Sequence, residues 1–162
     1  MLGGLALLLS FSSFSLADTV DIDVTLPEIS TSQYKRPFLA VWVEAKGQRE
    51  AQKTITVLFD DKKWLKDIRR WWRKGGRYNH DVDGVTGATK PPGVYRFTWD
   101  GRNQQGDKVP AGEYTLYVEA VREHGDRTLL KQRIVLGADT AQTYEVKAGD
   151  EVGPVTIKVQ RN

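Results

Sequence analysis

The chain has 162 residues, a net charge of +3 and no cysteine. That length is one domain's worth, enough to bury a core without metal or disulfide staples. The lack of cysteine excludes disulfides, thiolate metal sites and covalent c-type haem, and so small a positive balance gives no ground for nucleic acid as a partner.

Residues 1–17 read as a secretory signal peptide. Leu5-Ala6-Leu7-Leu8-Leu9 forms the apolar stretch, and Ser15-Leu16-Ala17 offers the small-x-small pattern of a cleavage site. The run falls short of the roughly 20 apolar residues a membrane span needs. The expected product is one exported domain, residues 18–162, in the periplasm or another extracytosolic space, with no stable membrane insertion after cleavage.

Val20 to Leu26 alternates apolar and polar residues, the pattern of a half-buried strand that Pro27 ends. Phe38-Leu39-Ala40-Val41-Trp42-Val43-Glu44 reads as a central strand, and Lys53-Thr54-Ile55-Thr56-Val57-Leu58-Phe59 as its hairpin partner. The period then changes. Trp64, Leu65, Ile68, Trp71 and Trp72 fall on one face of a helix, and Lys62, Lys63, Lys66, Arg69, Arg70, Arg73 and Lys74 cover most of the other. Asp60 or Asp61 can cap its start, and Gly75-Gly76 stops it. Such a helix closes one end of a β core; a membrane-surface helix has the same pattern, and its basic face also suits a phosphate or an acidic redox partner.

His80, Asp81 and Asp83 form a His-Asp-x-Asp string with too few ligands and no recognised spacing for a metal site, so no metal is expected. Next comes Asp83-Gly84-Val85-Thr86-Gly87-Ala88-Thr89, followed by Lys90-Pro91-Pro92-Gly93. Gly87 and Ala88 carry almost no side chain, and the two prolines forbid regular structure immediately afterwards, so the stretch is expected to project as an exposed loop. Thr89 has no obvious base beside it, which suits an acceptor hydroxyl better than a catalytic nucleophile. As residues alone, the stretch also reads as a Gly-rich turn.

The pattern Asp-x-x-(Ser/Thr)-Gly-Ala-Thr resembles the acceptor motif of proteins that carry flavin mononucleotide (FMN) on a threonine. The resemblance implies FMN held by a phosphoester on Thr89, placed there by an exported flavin transferase that draws the nucleotide from FAD and releases AMP. It also implies that Asp83, Thr86, Gly87 and Ala88 shape the cofactor loop, with Asp83 orienting it or recruiting the transferase's metal. Trp71 or Trp72 would then cover a face of the flavin ring, with core packing the safer expectation for at least one of them.

After the motif, residues 94–99 form an alternating strand, and residues 100–107 a turn cluster. Residues 113–121 are the clearest strand, followed by a turn at Glu123-His124-Gly125-Asp126 and strands near residues 128–136, 142–147 and 152–159. Seven or eight short strands with one amphipathic helix before the motif loop predict an immunoglobulin-like β-sandwich. Trp99-Asp100-Gly101, Gly106 and Val109-Pro110-Ala111-Gly112-x-Tyr114 resemble the Ig-like module of the flagellar hook-capping protein, which implies fold and not function.

A second resemblance spans nearly the whole mature chain. Residues 37–44, Trp71-Trp72-Arg73, the motif, Trp99-Asp100-Gly101 and residues 119–125 occur in order, and the set is similar to the predicted periplasmic family called domain of unknown function 2271. That likeness implies an exported electron-transfer setting, with a membrane-bound electron-transfer protein as partner. The protein is expected to be a carrier, not an enzyme. The turn Arg122-Glu123-His124-Gly125 is a second candidate site, where Glu123 and His124 would assist proton transfer, or where Arg122 and Glu123 simply pair on the surface. A non-catalytic exported Ig-like interaction module, with the motif as a turn, is the rival class. A stand-alone hydrolase has little support, because the two histidines lack a Ser/His/Asp or metal context.

Overall fold

The computed structural model describes residues 17–78 and 82–161. The expected signal peptide, apart from Ala17, and the His80-Asp81 pair lie outside the described residues.

Nine strands form two sheets: β1 (Thr19–Leu26), β2 (Phe38–Ala45), β3 (Lys53–Leu58), β4 (Thr86–Gly87), β5 (Gly93–Trp99), β6 (Gly112–Val121), β7 (Arg127–Leu136), β8 (Gln142–Val146) and β9 (Val155–Gln160). One sheet has the order β5-β1-β9-β8 and the other β4-β3-β2-β6-β7. The expected sandwich is the observed architecture, with one strand more than expected. That strand is β4, two residues taken from the motif itself.

Alternation builds the inner core. Val20, Ile22, Val24 and Leu26 of β1 face Leu39, Val41 and Val43 of β2 and Leu116, Val118 and Ala120 of β6, all buried in one cluster. Fully burying one such aliphatic side chain stabilises the fold by about 1.5–3 kcal/mol before entropy is counted. The β2–β3 register steps from Val41–Thr56 to Trp42–Thr54, which leaves Ile55 as a bulge residue.

The second cluster lies on the outer face of the five-stranded sheet. Phe38, Ala40, Trp42 and Val57 of the sheet pack there against Ile68 and Trp71 of the covering segment, residues 62–74. This covering segment is not the continuous helix expected. Residues Lys62–Asp67 are a 3₁₀ helix, and a six-residue α-helix, α1 (Arg69–Lys74), follows a break at Ile68 with φ −76° and ψ 72°. At three residues per turn, Leu65 and Ile68 eclipse one another, and Trp64 swings off the buried face toward Asp67. Trp64 is accordingly 40% exposed instead of joining the core.

Buried carboxylates hold the short helix in place. Glu119, fully buried on β6, accepts from the Arg70 and Trp71 amides at 3.0 and 2.9 Å and from Arg127 Nε at 2.6 Å. Those amides have no partner inside the helix, so the carboxylate satisfies donors that would otherwise be stranded. Glu44 accepts from Trp42 Nε1 at 2.9 Å and from Arg70 Nη2 at 2.7 Å, and this pairing raises the Arg70 guanidinium above its ordinary pKa. Burial first, and then the Glu44 charge, likewise raises the Tyr117 phenol.

The block expected to be structural is so. The Tyr114 hydroxyl donates to the Pro110 carbonyl at 2.7 Å, and its ring meets Trp99 edge-on at 5.8 Å. Gly101 has φ +70° in the turn ahead of it, a left-handed conformation that suits glycine.

Candidate functional site

The motif is stitched to the edge of the five-stranded sheet instead of projecting from it. Asp83–Val85 form one 3₁₀ turn, and Thr86 and Gly87 then pair in parallel with Val57 and Leu58. The Thr56 hydroxyl donates to the Val85 carbonyl at 3.1 Å, and the Phe59 amide to the Gly87 carbonyl at 3.0 Å. The prolines end the pairing but do not expose the acceptor. Thr89 is buried, at 6% exposure, while Asp83, Gly84 and Ala88 around it are exposed.

Gly87 has a packing reason to be glycine. A Cβ there would stand 3.2 Å from Leu58 Cδ2, tighter than side chains normally tolerate. Thr86 serves the turn, its hydroxyl donating to the Asp83 carbonyl at 3.3 Å.

The Thr89 hydroxyl donates to Asp60 Oδ1 at 2.7 Å. A carboxylate therefore stands directly beside a hydroxyl for which the sequence offered no base. Asp60 reaches it because β3 and β4 run parallel, so the residues just past Leu58 and Gly87 emerge at the same end of the sheet. Of the two candidate caps, Asp61 does the capping, accepting from the Lys63 amide at 3.0 Å, which leaves Asp60 for Thr89. The backbone and side-chain donors of Lys63 hold the Asp61 carboxyl below its ordinary pKa. Downstream, the Tyr95 hydroxyl donates to the Pro91 carbonyl at 2.7 Å and the Lys90 ammonium lies 5.3 Å from the Tyr95 ring, so β5 anchors the tail of the motif.

As a test of fit for a nucleotide on Thr89, the arrangement has an oriented hydroxyl, a carboxylate able to take its proton, and exposed lysines at 62 and 63 within a few residues of Asp60. These suit attachment. Thr89 is itself buried, so esterifying its hydroxyl would require a local rearrangement.

The family model for predicted periplasmic proteins, domain of unknown function 2271, matches residues 19–154. The chain belongs to this family. No curated protein and no solved structure matches it. As a member of the 2271 family the protein is periplasmic, and among the described residues no helix is long and apolar enough to cross a membrane.

The two tryptophans expected to cover a flavin ring are placed differently from each other. Trp71 is 1% exposed, and its Nε1 donates to the Thr54 hydroxyl at 3.0 Å, so the core takes both its faces. Trp72 is half-buried against the same cluster, with Gly76 packed so closely that a Cβ would fall 2.5 Å from the Trp72 ring. The most exposed tryptophan of the described residues is Trp64.

The turn at residues 122–125 is also not the surface pair expected. Arg122 turns inward and makes a bidentate pair with Glu151, Nε at 2.9 Å and Nη2 at 3.2 Å, with side chains 8% and 1% exposed. The Asp126 amide adds a third donor to Glu151 at 2.8 Å. Glu123 instead lies 3.5 Å from His124, whose φ of 58° places it in the left-handed turn position. Gly125 covers the guanidinium of Arg122 so closely that a Cβ would stand 2.5 Å from Cζ. Neither Asp60 nor Glu151 is signalled by a local pattern, since each partner is 29 residues away.

Proposed function

We propose that the protein is a periplasmic electron carrier that holds FMN by a phosphoester on Thr89. The reading rests on one observation above others: the motif threonine donates its hydroxyl to the Asp60 carboxylate at 2.7 Å. In attachment the Thr89 oxygen bonds to the phosphorus of the FMN half of FAD. The phosphoanhydride bond to the AMP half breaks, AMP leaves, and the hydroxyl proton passes toward Asp60. A flavin transferase binds the FAD and its metal, and exposed Asp83 lies where it can orient the loop or meet that metal.

When bound, the flavin supplies redox chemistry that this cysteine-free chain lacks, between a membrane-bound electron-transfer protein and an extracytosolic acceptor. The chain's own residues attach and orient. Thr89 is the tether, Gly87 and the β3–β4 pairing fix the tether's position, and Tyr95 restrains the tail. Co-expression with a flavin transferase is the test. Wild type should carry flavin absorbance that survives denaturation, and a folded Thr89→Val protein should carry none; full flavin retention in that variant would sink the assignment.

A second reading is favoured by the burial of Thr89 and the local bonds of Thr86 and Val85, which suit a purely structural edge. The protein would then be a non-catalytic Ig-like interaction module, colourless even beside an active transferase.

A further inference from the structure

A cavity of about 430 Å³ lies on the outer face of the five-stranded sheet, between the 3₁₀ segment and the β6–β7 turn. Phe38, Trp64, Asp67, Arg69, Val121 and Arg127 are among the residues that line it. Its floor is apolar, from Phe38 and Val121. Its rim carries the most exposed large aromatic ring of the described residues, Trp64 at 40%. Two guanidiniums join it: Arg127 is bonded to Glu119 through Nε, and Arg69 has no ion pair among the described residues.

The strand registers place this cavity at the Thr89 end of the sheet. Gly87 pairs with Leu58, Leu58 with Leu39, Leu39 with Ala120 and Ala120 with Thr128. Thr89, Asp60 and Arg122 therefore leave the same end of the sheet, and three strand spacings of about 4.8 Å put β4 roughly 14 Å from β6. Trp64 is nearer still. Its amide donates to the Asp61 carbonyl at 3.1 Å, and Asp61 adjoins the residue that holds the Thr89 hydroxyl. A flexible ribityl phosphate on Thr89 would meet the cavity first at this Trp64 side.

We propose that the isoalloxazine ring of a flavin carried on Thr89 docks in this cavity against Trp64, its apolar edge toward Phe38 and Val121 and its carbonyl edge toward Arg69 and Arg127. The inference rests on Thr89 being the attachment point. A planar, electron-poor ring gains from stacking on indole, and the guanidinium donors match the acceptors of its pyrimidine edge. The Lys63 ammonium lies 5.2 Å from the Trp64 ring, so the ligand takes the other face or displaces this exposed lysine. Trp64, not Trp71 or Trp72, is then the residue that covers the ring.

The test uses the full chain co-expressed with a flavin transferase, as wild type, Trp64→Leu and Arg69→Gln. Intact mass reads attachment, circular dichroism reads folding, and flavin emission reads docking, because a stacked indole quenches excited flavin by electron donation. Wild-type emission should be weak and rise several-fold when the protein is digested to its flavinyl peptide. Trp64→Leu should recover most of that rise in the folded protein at unchanged mass, and Arg69→Gln should lower the midpoint potential. A flavinylated, folded Trp64→Leu protein with wild-type emission would overturn the docking and leave the attachment standing. A wild-type chain that takes up no flavin mass would overturn the attachment, and the docking with it.

Discussion

Thr89 and Asp60 are 29 residues apart in sequence and share a 2.7 Å hydrogen bond, with the threonine buried and the carboxylate exposed. A phosphoester on that oxygen removes the donor and sets an anionic phosphate against an anionic carboxylate. Esterification and the observed bond are mutually exclusive, so modification would require the Asp60 carboxylate or the Thr89 segment to move.

Asp60→Asn separates the two roles of that carboxylate. Asparagine keeps an acceptor oxygen for the hydroxyl but cannot take its proton at neutral pH. The initial rate of flavin loading is expected to fall by about tenfold or more, since positioned bases typically contribute at least that much. The check is a time course of flavinylated mass at fixed transferase concentration. An unchanged rate would assign proton removal to the transferase alone.

Glu119→Ala should be among the most damaging single substitutions. It strands the Arg70 and Trp71 amides beneath the outer face and leaves Arg127 without its carboxylate. Removing one partner of a buried charged network costs about 3–5 kcal/mol, and the exposure of Arg127 places this case toward the lower end. Denaturant unfolding measures it, with Glu119→Gln expected to lose less because it keeps an acceptor for the helix amides.

Gly125→Ala tests the second carboxylate site sterically. The added methyl would overlap the Arg122 guanidinium, which two bonds to Glu151 hold in place. A loss of about 2 kcal/mol is expected as that pair is displaced. The same change at Gly84, where a Cβ meets nothing within 4 Å, should have little effect on the thermal midpoint.

The acid limb of stability should involve Asp23. Its carboxylate takes two bonds from Arg96, at 2.7 and 2.8 Å, and that guanidinium holds the carboxyl below its ordinary value of 3.8. A lowered folded-state pKa means the pair's contribution is present above that value and is lost as pH falls through the lower, folded one. Thermal midpoints of wild type and Asp23→Asn should therefore differ at neutral pH and converge as the pH falls below the ordinary carboxyl value of 3.8 and through the lower, folded one. A constant difference across that range would remove Asp23 from the acid response.

The strands were legible because alternation records one wet and one dry face. Val20, Ile22, Val24 and Leu26 show it directly, and the turn leading to Tyr114 marks its own geometry. The covering segment misled because a 3.6-residue period fits its apolar residues even though the chain takes a tighter 3₁₀ path, which is what frees Trp64. Glu119 lies at an outward position of β6 and reads as solvent-facing until a helix covers that face. The Thr89–Asp60 contact depends on a two-residue parallel pairing, too short to leave a periodic trace and brought about only by the fold.

The most direct measurement is the intact and peptide-mapped mass of the exported protein after co-expression with a flavin transferase that modifies a known acceptor. Carriage of flavin predicts one added FMN mass on the peptide containing Thr89, with flavin absorbance that survives denaturation. An unmodified Thr89 peptide under those conditions would contradict it, and leave the motif as a structural edge of the sandwich.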